Sequence, residues 1–221
     1  QVPTGVTMSS ARRRQLLEHA ARHDAVIIED DYDSESNFTL NPLPALKASD
    51  RSGRVVYVSS LSKALSPGLR LGFMVADPDL IDEARALRRL VYRHPPTNIQ
   101  YQMAHFLAQG HYETHLRRYH YDSAQRWERL HAALQRYLPS CRALAGSEHA
   151  NAFWLQTPAQ INTQQLTWRA AHAGVLIEPG ARHFLNAAPP DNYFRMGFHA
   201  INPDAIAQGV EVLRGQLEQM G

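Results

Sequence analysis

The apolar residues of the chain fall into two kinds of pattern, helical spacing and short continuous runs. A helix is predicted from about residue 10 to residue 24, because Ser9 and Ser10 are suitable N-terminal caps and apolar residues recur on one face. The segment VIIED at 26–30 is a continuous apolar run and predicts a buried strand. A helix followed by such a strand is half of a parallel α/β repeat, so an α/β fold is indicated.

The same patterns predict the elements of the rest of the chain. The predicted strands lie at 54–60, 70–77, 142–145, 151–156, 175–179 and 193–198. The predicted helices lie at 78–93, 98–109, 111–137, 163–173 and 203–219. The order of elements is α/β in the first half and α+β in the second. We therefore expect a larger α/β domain at 1–110, and a linking helix with a smaller α+β domain at 111–221.

Composition is that of an ordinary soluble globular protein and excludes several other classes. The 221 residues are 44% hydrophobic and 20% charged, and they suffice for one large or two small domains. A net charge of +2 is too small to indicate a nucleic-acid or membrane surface by itself. The single cysteine, Cys141, excludes an internal disulfide and a cysteine zinc cluster, and no apolar run is long enough to span a bilayer. We expect a cytoplasmic protein and, because residue 1 is Gln within a turn-like QVPTG segment, a fragment of a longer one.

Two polar side chains stand at the C-terminal end of the first predicted strand. Asp30 and Tyr32 are two residues apart, and residues two apart in an extended chain point to the same side. In open α/β sheets, ligands bind at the C-terminal ends of the strands. A carboxylate and a phenol are therefore expected to reach into one crevice. The plainer alternative is a solvated acidic loop.

A lysine lies among small and apolar residues in the segment SSLSKALSPGLRLG at 59–72. This residue, Lys63, follows a predicted strand. A lysine amine is a nucleophile only when neutral, a state that desolvation or a nearby cation favours. Ser60 and Ser62 place hydroxyls beside it, and Arg70 follows a Pro-Gly turn; hydroxyls with an arginine fork suit a phosphate. By itself an S-x-x-K pattern is a weak signal, and Arg70 could simply be a surface charge.

Taken in order, these segments resemble a known family. PTGVTMSSARRRQLLEHA, IIEDDYDSE, PLPAL, VVYVSSLSKALSPGLRLGFMV and GHYETHLRRYHYDSAQRWERL are similar to fold-type-I pyridoxal-phosphate (PLP) enzymes of the class I/II aminotransferase family. They are most similar to the effector domain of MocR-type regulators, a branch of the GntR transcription factors. The resemblance covers nearly the whole chain. It implies the C-terminal part of a PLP-transferase fold, with a mostly parallel large-domain sheet and a smaller α+β C-terminal domain.

The resemblance implies a role for each candidate residue. Lys63 matches the lysine that holds PLP as a Schiff base and acts as the catalytic residue. Asp30 matches the carboxylate that keeps the pyridine nitrogen protonated, and Tyr32 matches the phenol that bonds the cofactor ring oxygen. The residues that match the phosphate cradle are Ser60, Ser62 and Arg70. Arg195, in YFRMGF, matches the arginine that binds the α-carboxylate of an amino acid, the alternative being a charge on an edge strand.

The helix predicted at 111–137 is rich in Arg and His. His111 and His115 are four apart, a spacing that could suit a metal, but no third ligand completes a site, so no metal is expected. A basic stripe can also bind nucleic acid. Because aromatic and apolar residues interleave at nearly helical spacing, an amphipathic helix between two subdomains is the favoured interpretation.

Two functions follow as expectations. The first is a regulator whose domain senses PLP or an amino-acid or amine adduct and contacts DNA only through an upstream domain. The alternative is a free-standing PLP-dependent aminotransferase, in which Lys63 moves the proton as general base. Val2, where aminotransferases usually have Asn before the PTG turn, slightly favours the regulator branch. The resemblance further implies a homodimer. The ligand itself, and a role for His199, are not given by the sequence.

Overall fold

The computed structural model describes residues 1–31, 35, 37–38, 42–144 and 151–221. They form two compact units. The Lys63 unit comprises Met8–His120, and the Arg195 unit comprises Tyr121–Gly221 together with Gln1–Thr7. The domain border expected between residues 110 and 111 stays a prediction, since a compact unit need not be a folding domain.

The Lys63 unit combines helices with a three-stranded sheet. Its helices are Ser10–Arg22 (α1), Pro78–Tyr92 (α2), Thr97–Ala108 (α3) and the part of His111–Tyr137 (α4) up to His120. Its strands are Ile27–Asp30 (β1), Val55–Ser60 (β2) and Gly72–Val75 (β3), in the order β1-β2-β3. β2 pairs with β1 in parallel and with β3 antiparallel. The α/β character expected from the sequence is therefore confirmed.

Polar caps explain why the first helices begin where they do. The Ser9 side chain accepts a hydrogen bond of 3.4 Å from the backbone N–H of Arg12, which satisfies one of the free donors at the start of α1. Asp77 does the same for α2 through the N–H of Asp79, at 3.1 Å, and Pro78 fits the first helical position. Both starts agree with the sequence patterns.

The two faces of the three-stranded sheet are covered to different degrees. Val55 is fully buried, and Glu29 on the same face accepts two hydrogen bonds from the 3-10 turn Leu46–Ser49, at 2.5 and 2.8 Å. On the other face Ile28 is 73% exposed. The expectation of a buried strand at 26–30 is wrong for this side chain, because none of the described residues covers that face of β1.

The Arg195 unit is built on a four-stranded antiparallel sheet. Its strands are Arg142–Ala143 (β4), Ala152–Gln156 (β5), Glu178–Pro179 (β6) and Tyr193–Gly197 (β7), in the order β4-β5-β7-β6. Its helices are the rest of α4, Thr163–His172 (α5) and Ile206–Glu218 (α6). The largest fully buried side chains of its core include Phe153, Phe194, Phe198, Leu166 and Leu213. This is the smaller α+β part that the sequence predicts.

The alternation of side chains along β7 separates its core face from its polar face. Phe194 and Met196 are buried, whereas Tyr193 and Arg195 lie on the opposite face and are partly exposed. Period-two alternation is what a half-buried strand requires. The register of the strand therefore places Arg195 on the side of the sheet away from Phe194. Within the described part of the chain, no helix is both long and apolar enough to cross a membrane.

Candidate functional site

The carboxyl ends of β1 and β2 lie at the same edge of the sheet. The parallel register pairs Asp30 with Val58, so Asp30 and the residues after Ser60 leave the sheet side by side. Asp31 continues this pairing: its N–H donates to the Val58 carbonyl at 2.9 Å, and its own carbonyl accepts from the Ser59 hydroxyl at 2.8 Å. The backbone that follows Asp30 is thus fixed against β2, with the Asp30 side chain exposed. Tyr32 lies outside the described residues.

Lys63 projects from a tight turn whose neighbours are buried. The Leu65 N–H donates to the Leu61 carbonyl at 3.2 Å, which closes the turn, and the Leu61 N–H bonds to the carbonyl of Leu71 at 3.0 Å. Leu61 and Ala64 are buried, at 8% and 5% exposure, whereas Lys63 between them is exposed. A turn that is closed by hydrogen bonds and carries an exposed lysine is a suitable base for a covalent link to a ligand.

The candidate phosphate residues lie at the end of β2, within the Lys63 turn and just before β3. The Ser60 hydroxyl accepts from the Ser62 N–H at 3.2 Å and donates weakly to the Leu71 carbonyl at 3.5 Å, a contact that an incoming anion could replace. Arg70 is exposed and has a left-handed backbone (φ 48°) after the 3-10 turn Pro67–Leu69. Hydroxyls and a guanidinium are the kinds of group that suit a phosphate, so the chemistry of these three side chains is compatible with one.

Gly72 allows β3 to approach this turn closely. A Cβ atom at this position would lie 2.8 Å from the backbone carbonyl oxygen of Ser59, so any other residue would force the strands apart. The close approach brings the Leu71 carbonyl to Leu61 and Ser60.

The first part of α4 is hydrogen-bonded to Glu35, which follows β1, and to Ala64, which follows β2. The Nε2 of His115 bonds to the Ala64 carbonyl at 2.6 Å, beside Lys63. Tyr112 donates to the Glu35 carboxylate at 3.1 Å, and the Nε2 of His120 bonds to the Glu35 carbonyl at 2.7 Å. Burial and the Glu35 carboxylate raise the pKa of the Tyr112 hydroxyl well above its usual value, which keeps it a donor. These contacts link residues far apart in the sequence, and the sequence patterns did not indicate them.

Arg195 lies in the Arg195 unit, on β7 between two neighbouring strands. It is paired across the sheet with Trp154 on β5 and Glu178 on β6. Its Nη1 donates to Glu178 Oε2 at 3.3 Å. The alternative of an edge-strand charge is wrong, because β7 is an inner strand. Sequence reasoning did not single out Glu178, since nothing in the segment 175–179 shows which strand it faces.

His199 is held within the Arg195 unit. Its Nδ1 lies 3.1 Å from the hydroxyl of Ser123, a buried residue of α4, and its ring stacks on that of Phe198 at 4.4 Å. The histidine is thus packed within this unit. Neither of these two contacts assigns it to the candidate site.

Sequence comparison identifies the family of this chain. The family described as aminotransferase class I and II matches residues 1–213, so the chain belongs to this family. Over 210 residues it is 39% identical to the HTH-type transcriptional regulator TauR of Rhodobacter capsulatus. That match covers 94% of this chain and 43% of TauR. It is 34% identical over 215 residues to the probable rhizopine catabolism regulatory protein MocR of Rhizobium meliloti. That match covers 97% of this chain and 43% of MocR. The chain thus spans less than half the length of these relatives, and its resemblance to the MocR-type regulators is confirmed.

Solved structures confirm the fold. The chain superposes with a TM-score of 0.87 on a crystal structure of Pyrococcus horikoshii kynurenine aminotransferase in complex with PMP. The two are 28% identical, and the match covers 99% of this chain and 54% of that one. The expected partial PLP-transferase fold is therefore confirmed, and the family and this neighbour indicate pyridoxal phosphate as the cofactor.

Proposed function

We propose that this chain is the PLP-binding, aminotransferase-like domain of a MocR/GntR-type transcriptional regulator. The observation that carries the proposal is the accessible Lys63 on a turn with buried neighbours, in a chain 39% identical to the regulator TauR. The domain senses PLP or an amino-acid or amine adduct of it. The whole protein is a cytoplasmic homodimer that contacts DNA through a domain outside this chain.

Each candidate residue has a task toward the cofactor. PLP, when bound, would supply an electron sink for negative charge that develops at the α-carbon of an amino-acid ligand. Lys63 holds it covalently through its amine. Asp30, at the carboxyl end of β1, keeps the pyridine nitrogen protonated. The Ser60 and Ser62 hydroxyls and the Arg70 guanidinium hold the phosphate. Tyr32 donates to the ring oxygen, and Arg195 binds the ligand carboxylate.

The second candidate function is a free-standing aminotransferase. The observation that favours it is the TM-score of 0.87 with kynurenine aminotransferase over 99% of this chain. In this case Lys63 moves a proton between the substrate carbon and the cofactor as general base. Asp30 and Arg195 keep the tasks described above.

The covalent role of Lys63 can be tested with an internal control. The chain contains two lysines, Lys47 and Lys63, and the Lys47 amine is engaged with Asp50 at 3.2 Å. The full-length protein is incubated with PLP, reduced with borohydride, and its modified peptides are mapped by mass spectrometry. A phosphopyridoxyl group at Lys63 that survives in Lys47→Arg and disappears in Lys63→Ala is expected. Equal modification of both lysines, or none, would contradict the cofactor role.

The regulator and the enzyme are distinguished by two measurements on the PLP-loaded protein. The regulator is expected to bind a DNA fragment from upstream of its own gene with an affinity that changes when an amino acid is added. This response is expected to be lost in Lys63→Ala. The aminotransferase is expected to release a 2-oxo acid over many turnovers. Sustained turnover with no DNA binding would overturn the regulator assignment, and sedimentation of the same samples tests the homodimer.

A further inference from the structure

The Glu178 carboxylate on β6 is shared by three basic side chains of the Arg195 unit. Its Oε2 lies 3.3 Å from Arg195 Nη1, and its Oε1 lies 3.4 Å from Arg182 Nη1 and 3.6 Å from His183 Nε2. One carboxylate thus faces two permanent cations and one imidazole. Even with His183 neutral, these four side chains together carry a net charge of +1. They can therefore bind one further anion.

The fold holds these four residues together. Glu178 and Arg195 are directly opposite in the antiparallel register, so their side chains lie on the same face of the sheet. The 3-10 turn Gly180–His183 then returns the chain toward Glu178. Arg182, on this turn, follows Glu178 by four residues, and the His183 ring stands edge-on to Trp154, with ring centroids 5.6 Å apart.

The contact between Glu178 and Arg195 is suited to exchange. Its single N–O distance of 3.3 Å is longer than that of a strong charge-assisted hydrogen bond, and the side chains are 32% and 24% exposed. An ion pair of this kind contributes little stability. The two oxygens of Glu178 have different partners, so loss of Arg195 from Oε2 leaves the contacts of Oε1 with Arg182 and His183 intact. Glu178 is therefore not left as an uncompensated charge.

We propose that Glu178 is an exchangeable counter-ion that competes with the ligand carboxylate for Arg195. In the ligand-free protein the Glu178 carboxylate forms an ion pair with the guanidinium of Arg195. An amino acid displaces it with its own carboxylate, and Glu178 keeps Arg182 and His183. The competition sets the ligand concentration at which the domain responds. It affects only ligands that have a carboxylate, because an amine without one leaves the Glu178–Arg195 pair intact. The inference rests on the proposed role of Arg195.

The test compares ligands that differ only in the carboxylate. PLP-loaded full-length protein is titrated with L-alanine, L-leucine and L-phenylalanine, and with ethylamine, isopentylamine and phenethylamine. The change in cofactor absorbance gives each dissociation constant. Glu178→Gln is expected to bind the responding amino acids about fivefold more tightly, the upper end for releasing a partly exposed ion pair, and to bind the amines as the wild type does. Glu211→Gln, which removes a carboxylate paired with Arg214 on α6, is the matched control and is expected to change neither.

Each other outcome overturns a defined part of the proposal. Weaker amino-acid binding by Glu178→Gln would show that Glu178 positions Arg195 and does not compete with the ligand. An equal change for amino acids and amines, or no change, would also overturn the exchange. No response of the wild type to any of the six compounds would overturn the proposed function itself. Glu178→Asp, which keeps the charge on a shorter side chain, is expected to show affinities between those of wild type and Glu178→Gln, and covers the case in which the Gln variant unfolds.

Discussion

The Nε2 of His115 donates a hydrogen bond of 2.6 Å to the backbone carbonyl of Ala64, the residue next to Lys63. A carbonyl oxygen only accepts, so this nitrogen carries the proton. The ring also stacks on Tyr119 one turn further along α4, with centroids 6.3 Å apart. Because Ala64 is buried, this contact fixes the turn that presents the lysine. His115 is therefore a positioning residue for Lys63.

Replacement of His115 tests this relationship. His115→Phe keeps an aromatic ring and removes the donor, so the Lys63 turn is expected to loosen and PLP to dissociate about tenfold faster, as for loss of one buried hydrogen bond of about 1.4 kcal/mol. His115→Gln, which retains an N–H donor at similar reach, is expected to restore most of the retention. The measurement is the release of PLP from the full-length protein followed by absorbance. Equal rates in wild type and His115→Phe would contradict the positioning role.

The helix ends were predictable because local residues determine them. Gly110 and Pro139 flank the long helical pattern, and α4 runs from His111 to Tyr137 as the sequence predicts. The observed strands are all somewhat shorter than predicted, and the difference is large for two of those whose predicted residues are all described. The strand expected at 70–77 begins only at Gly72, because Arg70 adopts a left-handed conformation. The strand expected at 175–179 comprises only Glu178–Pro179, and the Val175 N–H is bonded at 2.8 Å to the carbonyl of Ala170 at the end of α5.

Only those parts of the candidate site that depend on residues close together in the sequence could be predicted. Asp30 at a strand end and Lys63 in a turn after a strand follow from short patterns. The contact of His115 with Ala64 spans 51 residues, and the pairing of Arg195 with Glu178 depends on strand order. Local patterns in a single sequence do not show such long-range neighbours. The exposure of Ile28 could not be predicted for the same reason, since burial depends on what covers the sheet.

Gly180 is required by close packing, and its replacement should destabilise the Arg195 unit. An added Cβ would lie 2.5 Å from the Trp154 ring and 2.6 Å from both the Cβ and the carbonyl oxygen of Tyr193. Gly180→Ala is therefore expected to lower the free energy of unfolding by about 3 kcal/mol, as overpacking of a rigid core does. It should also displace the turn that carries Arg182 and His183.

A second glycine provides the control for Gly180→Ala. At Gly215 in α6, an added Cβ meets no atom within 4 Å. Gly215→Ala is expected to raise stability by about 0.5–1 kcal/mol, because alanine favours the helix. Urea unfolding of both variants gives the comparison. Equal midpoints for the two alanine variants would show that the contacts at Gly180 are relieved by movement of the backbone.

Asp50 makes stability depend on pH on the acid side. Its side chain is fully buried, which by itself raises the pKa of the carboxyl. Hydrogen bonds from Val55, Ser52 and Lys47 outweigh burial and hold that pKa well below its ordinary value. A group with a depressed pKa in the folded state stabilises the protein above its unfolded pKa of about 4, and this contribution is lost as the pH falls toward the folded value.

Replacement of Asp50 by asparagine should therefore flatten the acid side of the stability curve. Asp50→Asn is expected to cost about 2 kcal/mol near pH 7, and the difference from wild type should shrink as the pH is lowered below about 4. Urea unfolding between pH 3 and pH 7 measures this. Asp82→Asn, which removes only an exposed pair with Arg85, is expected to follow the wild-type curve. A constant difference across the pH range would contradict the depressed pKa of Asp50.

Cys141 should be unreactive in the folded protein. Burial raises the pKa of its thiol to about 11, against a weaker opposing effect of a hydrogen bond with Ser140. At pH 8 the thiolate fraction is then about 0.1%, compared with about a quarter for an ordinary thiol of pKa near 8.5. Because the thiolate is the reactive form, alkylation of Cys141 by iodoacetamide at pH 8 is expected to be at least a hundredfold slower in the native protein than in urea. Peptide mapping by mass spectrometry at timed intervals separates this cysteine from any other. Rapid labelling of Cys141 in the native protein would show that the turn after α4 opens to solvent, in which case the thiol would not keep its raised pKa.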